Sequence, residues 1–147
     1  MAVIAIVIVI GLAVVLLGGS TAVASLTGGL VGGNLSADQI AGYAANAGFQ
    51  GEDLTTAVAV ALAESSGNPA AVGDLNLTPG GSVGLWQINL KAHPQYANVD
   101  LTDPQTNANA AYSIYAAAGQ SFSPWSAYSS GAYEAYIGSA DDATEAA

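Results

Sequence analysis

The sequence predicts a mainly helical α+β domain of ordinary single-domain size, preceded by an apolar N-terminal segment. Three observations predict it. Three stretches combine helix caps with apolar residues at helical spacing. The middle of the chain, from Ala70 to Asn89, is so rich in Gly, Asn, Asp and Pro that it has room for little more than a very short hairpin. The run MAVIAIVIVIGLAVVLL at residues 1–17 is uncharged and just long enough to cross a hydrocarbon core.

That first segment reads as a membrane-inserting helix, because burial in lipid forces backbone hydrogen bonds to close within the segment and overrides the weak helix propensity of Val and Ile. A cleaved signal is the second reading. Ala22-Val23-Ala24 has the small residues of a cleavage site, although the basic region that usually precedes one is missing. Packing inside a protein assembly such as a virus particle is the third. With no Lys or Arg near either end, membrane orientation stays open. Gly28 to Gly33 (GGLVGG) reads as a linker, so residues 1–33 are set apart from a domain at 34–138.

Within the domain, Ser36-Ala37-Asp38-Gln39 has the form of a capping box, and Ile40, Ala44 and Ala47 share one face until Gly48 supplies a stop. After a turn at Phe49-Gln50-Gly51, the stretch from Glu52 to Ser65 is nearly all apolar and predicts a buried second helix, with Glu52 and Asp53 at its positive end. Gly67-Asn68-Pro69 must end it, which leaves Glu64 in the last turn. Val83 to Ile88 is an apolar island suited to the hairpin. Asp103 followed by Pro104 opens a third helix through Ala110, Ile114 and Ala117 to Gly119. Ser123-Pro124-Trp125 predicts a short helix to about Tyr128, and residues 139–147, small and acidic, are expected to fray.

Composition removes several function classes. Lys91 is the only Lys or Arg against eleven acids, a formal charge of −10, so nothing can neutralise a run of phosphates and no nucleic-acid partner is expected. Membrane contact must likewise come from apolar burial and not from charge. The absence of Cys removes disulfides, thiol nucleophiles and Cys-based metal sites. His93 has no second ligand at metal-binding spacing, so no metal and no cofactor are expected. Ser65 and Ser66 lack the context of a hydrolase nucleophile, and Gly80-Gly81 is not followed by the Lys of a phosphate loop.

The residue that carries chemistry is Glu64. A lone carboxylate at the end of an apolar helix is disfavoured in its charged form by desolvation and by the negative helix terminus. A carboxylic acid that keeps its proton near neutral pH can give it to a glycosidic oxygen as the bond breaks. The competing reading is a surface Glu that solvates a helix end.

The surrounding residues weigh against that alternative. Ala63-Glu64-Ser65-Ser66-Gly67-Asn68-Pro69 followed by Gly84-Leu85-Trp86-Gln87-Ile88-Asn89 resembles the Glu-Ser and Gly-Leu-x-Gln motifs of the lytic transglycosylase and goose-type lysozyme superfamily. The resemblance runs from about Ile40 to about Tyr136 and takes in Asn107-x-x-Ala110-Ala111-x-x-Ile114-Tyr115 and Pro124-Trp125-Ser126-x-Tyr128. It implies a lysozyme-like fold that cuts the MurNAc-GlcNAc bond of peptidoglycan, with Glu64 as acid/base. Ser65 then follows the acid as a local hydrogen-bonding group, Gln87 faces the cleft to bind an N-acetyl or hydroxyl group, and Gly84 lets backbone approach the sugar. Trp86, Tyr115, Trp125 and Tyr128 offer flat faces for pyranose rings, although in so small a domain such rings serve the core as readily.

In members of the transglycosylase type, the resemblance implies, Glu64 protonates the leaving oxygen and then takes a proton from the substrate's own 6-hydroxyl, giving a 1,6-anhydro product. Water in that role gives hydrolysis. Of the other acids, Asp100 and Asp103 sit in turn or cap contexts, and Asp74 is the one candidate for a second acid. The expected setting is an enzyme held at residues 1–33 by a membrane, facing outward from the cytoplasm, or carried in a phage virion for wall penetration. The alternative is a structural virion or envelope protein whose lysozyme-like module is catalytically silent.

Overall fold

The computed structural model describes residues 33–76 and 79–146, so the predicted N-terminal membrane helix lies outside the described residues. Among the described residues no helix is long and apolar enough to cross a membrane. Asn34–Ala147 is one compact unit. Its elements are α1 (Ala37–Ala47), α2 (Gly51–Ser65), β1 (Val72–Gly73), β2 (Ser82–Val83), β3 (Ile88–Asn89), α3 (Pro104–Ala117), α4 (Ser126–Ser129) and α5 (Ile137–Glu145), with 3-10 turns at Pro94–Tyr96 and Ala132–Tyr136. The architecture is the mainly helical α+β class that the sequence predicts. The hairpin is one strand richer than expected: the three strands form an antiparallel sheet in the order β1-β2-β3.

Local chemistry explains where the helices begin. Ser36 and Gln39 form the predicted capping box, the Gln39 N–H donating to Ser36 Oγ and the Ser36 N–H to Gln39 Oε1. Asp103 caps α3 by accepting from the Thr106 N–H at 2.9 Å, and Pro104 takes the first turn, where a missing N–H costs nothing.

Helix α2 is the central element, packed against α1, α4, α5 and the turn at Ala132–Tyr136. Leu54 and Ala57 through Ala61 are buried along it, as expected for a helix apolar on most of its faces. It ends where Ser66 adopts a left-handed conformation and returns its N–H to the Leu62 carbonyl. Gly67 follows at φ 80°, and a Cβ there would stand 2.4 Å from the Leu35 carbonyl oxygen, so only Gly lets the segment before α1 cross this helix end. That crossing pins the turn that carries Glu64.

The aromatic residues bind the helices to the sheet. Phe49 lies among Trp86, Tyr112, Tyr115 and Phe122, with ring centroids 5.0–6.4 Å apart. Trp86 is fully buried and donates its indole N–H to the Ala57 carbonyl of α2, while Trp125 donates its own to the Trp86 carbonyl. Every buried side-chain nitrogen and oxygen among the described residues has a partner.

The stretch expected to fray is instead helical. In α5, Ala140 and Ala143 are buried against α1 and α2, and Thr144 Oγ1 lies 2.8 Å from Thr55 Oγ1 of α2. Its buried face is built from alanines, and the acids and small residues around them keep the mean hydropathy of the segment low, which is why it reads as a tail. The small size of the alanines is what lets the helix approach α2 closely.

Candidate active site

Glu64 emerges from the last turn of α2 into a cleft of about 140 Å³ lined also by Asp74, Ser82, Gln87, Asn89, Pro124, Trp125 and Ser126. Three parts of the fold meet there: the end of α2, the small sheet with the loop between β2 and β3, and the entry to α4. Glu64 is half-buried, and its Oε1 accepts from the Ala127 backbone N–H at 3.1 Å. Burial is the largest influence on its proton and holds the pKa above the ordinary Glu value. The Ala127 N–H opposes that rise, the negative charge of Asp74 adds to it, and a hydrogen bond with the Ser126 side chain opposes it more weakly. Burial wins, so the group retains its proton to higher pH than a solvated carboxylate.

The cleft does not stop at the acid. A narrower section of about 60 Å³ shares Gln87, Asn89, Pro124 and Trp125 with it and adds Ile88, Ala92, His93 and Ile114. His93, Ile114 and Pro124 also line a neighbouring pocket of about 330 Å³. Glu64 therefore sits in a cleft that shares wall residues with a chain of neighbouring hollows. Desolvation lowers the pKa of His93. Among the described residues no three acidic or histidine side chains are grouped to hold a metal ion.

The residues singled out in the sequence divide into two sets. Glu64, Asp74, Gln87 and Trp125 meet in the cleft. Gln87 sits at φ 45°, a conformation side chains seldom adopt, and its amide donates to the Ala71 and Gly84 carbonyls at 3.0 Å each. Its NH₂ group is thus spent on holding the loop, and its oxygen lies beside Gly73 of β1, where an added Cβ would stand 2.7 Å from it. Trp125 lines the cleft but is buried, so little of its ring is open for stacking.

The second set does other work. Ser65 is buried and donates to the Ala61 carbonyl at 2.9 Å, a bond within its own helix that steadies the turn below Glu64. The close approach at Gly84 is to the protein itself: at φ 81°, a Cβ there would lie 2.1 Å from Asn107 Nδ2 and 2.3 Å from the Leu101 carbonyl oxygen. Tyr115 is a core residue and not a sugar platform, since its ring is packed against Phe49 and Phe122 and its hydroxyl donates to Asp53. Burial, and then Asp53, push its pKa up to about 12. Trp86 is likewise core. Tyr128 is exposed, stacked on Tyr133 at 4.9 Å, two residues beyond the cleft-lining Ser126.

Sequence reasoning named Asn107, Ser126 and Asn89 only as members of motifs, with no role of their own, and missed Ser82. Asn107 is fully buried; its Oδ1 accepts from the Trp86 N–H at 2.9 Å, and its amide donates to the Val83 and Leu101 carbonyls at 2.9 Å each. The available signal was a polar residue on the apolar face of α3 in register with Ala110, Ala111 and Ile114. Motif membership marks Asn89 and Ser126, and nothing comparable marks Ser82, which sits in turn-rich sequence.

With this geometry in view, comparison with known families is informative. The family described as Lysozyme like domain matches residues 41–127, more than half of the chain. The chain belongs to that family. The matched span runs from α1 to α4 and contains Glu64 together with every residue lining its cleft. No curated protein and no solved structure matches this chain. In general terms, the family places the lysozyme-like domain among peptidoglycan-acting glycosidases and lytic transglycosylases.

Proposed function

We propose that this lysozyme-like domain cleaves the MurNAc-GlcNAc glycosidic bond of peptidoglycan with Glu64 as its acid/base. The observation that carries the reading is a half-buried carboxyl whose pKa burial raises, standing in a cleft that shares its walls with neighbouring hollows. The Glu64 proton passes to the bridging oxygen as the bond to C1 breaks, so the leaving sugar departs as a neutral alcohol. The carboxylate that remains is held by the Ala127 N–H and the Ser126 hydroxyl and is ready to receive a proton back. Gln87, its amide fixed by the Ala71 and Gly84 carbonyls, supplies polar wall, and Trp125 and Pro124 supply apolar wall for the sugar rings.

In the same proposal residues 1–33 hold the enzyme at a membrane, with the domain outside the cytoplasm, or within a phage particle that must open the wall. The uncharged run at residues 1–17 supports both settings. The test of the chemistry is a zymogram on purified peptidoglycan comparing the parent with Glu64→Gln. Clearing by the parent alone is expected. Equal clearing by both, or by neither, overturns the reading.

A further inference from the structure

We propose that the pocket of about 330 Å³ beside the Glu64 cleft takes the peptide that hangs from the glycan strand, and that Lys91 at its border is a specificity-determining residue that meets a carboxylate of that peptide. This deepens the glycosidase reading above and rests on it. Charge is the first ground. The chain holds eleven acids against one Lys and one His, a formal charge of −10. Yet no acid is among the residues that line this pocket, whereas Glu64 and Asp74 both line the cleft. The two basic side chains, Lys91 and His93, stand two positions apart, and His93 lines the pocket. In a chain this acidic, a carboxylate meets its least unfavourable electrostatic surroundings there.

The backbone fixes where Lys91 stands. Asn89 of β3 lines the cleft, and its Oδ1 accepts from the Lys91 and Ala92 N–H groups at 3.1 and 3.0 Å, while the His93 N–H donates to its carbonyl at 2.9 Å. Asn89 Nδ2 donates in turn to Ser82 Oγ at 3.2 Å, and the Ser82 hydroxyl donates to Asp74 Oδ2 at 2.8 Å, so the turn is tied to the sheet that walls the cleft. Ala92 lines the narrower section that shares walls with both cleft and pocket. Lys91 is exposed on this pinned turn, and its flexible four-carbon stem lets the ammonium group follow a ligand without moving the backbone.

The walls of the pocket suit a short peptide better than another sugar ring. Ile114, Ala117 and Pro124 give apolar wall for small alkyl side chains, and His93, Gln95 and Ser113 offer polar groups to peptide N–H and C=O. Ser113 donates its own proton to the Asn109 carbonyl at 3.0 Å, which leaves its oxygen to accept. Desolvation lowers the His93 pKa, so near neutral pH the ring is uncharged and presents one donor and one acceptor. The positive charge therefore falls to Lys91. The only phenol ring in the lining is that of Tyr96, half-buried, where a sugar site would use an open aromatic face. The volume falls within the range of about 300–1,000 Å³ typical of pockets that hold a small ligand.

The experiment gives the full chain three forms of purified glycan strand: with peptides intact, with the peptide carboxylates converted to amides, and with the peptides removed. kcat and KM are measured for the parent, Lys91→Ala and Ala117→Phe. Both positions are exposed, so folding should be preserved, which circular dichroism checks. The parent should show its lowest KM on intact strands. Lys91→Ala should raise that KM by about fivefold, the upper end for an exposed ion pair, with kcat little changed, and should match the parent on amidated strands. Ala117→Phe, which fills the pocket, should raise KM on intact and on amidated strands but not on stripped ones. A parental KM for Lys91→Ala on intact strands, or an equal rise on amidated strands, overturns the role of Lys91. An equal rise for Ala117→Phe on stripped strands assigns the pocket to sugar and overturns the proposal. So does a parent whose KM is the same on all three substrates. In each of these cases the strands are still cut and only this inference fails; a parent that cuts none of them removes the glycosidase reading and this one together.

Discussion

Glu64 owes its chemistry to where its helix ends. Removing its acid and base roles together by Glu64→Gln should cost several orders of magnitude in turnover, since each role is worth about 10²–10⁴-fold. The same variant makes a prediction about stability. A carboxyl whose pKa is raised on folding contributes stability at pH below its unfolded value, and that contribution is lost as pH rises through the folded value. Gln cannot ionise, so Glu64→Gln should gain on the parent between acid and neutral pH. Thermal melts at pH 4 and pH 7 would show the gap in Tm widening upward, and a gap that narrows would contradict the burial argument. Asn107 is the structural counterpart. Its replacement by Ala strands the buried Trp86 N–H and two carbonyls, and urea denaturation should register a loss of about 3 kcal/mol or more. How legible such residues are depends on contrast. Glu64 stands out as a lone acid in an apolar helix. Ser82, Asn89 and Ser126 do not, because a polar residue in a turn looks the same whether water or a neighbouring strand satisfies it.

At the scale of elements, caps and breakers were legible and packing faces were less so. Ser36, Asp103 and Pro104 act within a few residues of themselves, so the starts of α1 and α3 follow from local chemistry. The three short strands do not, because strands of two residues have no periodicity to detect and exist through pairing across the loop. Helix α5 is the clearest case of hidden structure. Enlarging its buried Ala140 to Leu should force it away from α2 and cost about 1–3 kcal/mol by overpacking, measured as a lower denaturant midpoint. No change would mean that the helix is not docked as described. The loop between β2 and β3 is held as firmly. Gly84→Ala would drive a methyl group into Asn107 and the Leu101 carbonyl, and soluble folded protein should be largely lost.

For the whole molecule, a formal charge of −10 with a single Lys sets how it meets its surroundings. A wall carrying carboxylate-bearing peptides would repel it at long range. Raising salt from about 0.01 M to about 0.15 M shortens the screening length from about 30 Å to about 8 Å, so the rate of wall cleavage should rise over that interval. A falling rate would point to attraction through the one cation or through an unrecognised partner. The amino-acid order alone determined the helical class, the caps and the acid at the end of α2. It also carried the motif spacing that resembles a lysozyme-like family. Each of these depends on neighbours in the chain or on totals over it. Only the tertiary structure decided that Tyr115 and Trp86 serve the core, that Gly84 yields to Asn107, and that Ser82 and Asn89 stand behind Asp74. Those assignments depend on distances between residues 7–62 positions apart, and such distances exist only once the helices and the sheet have packed.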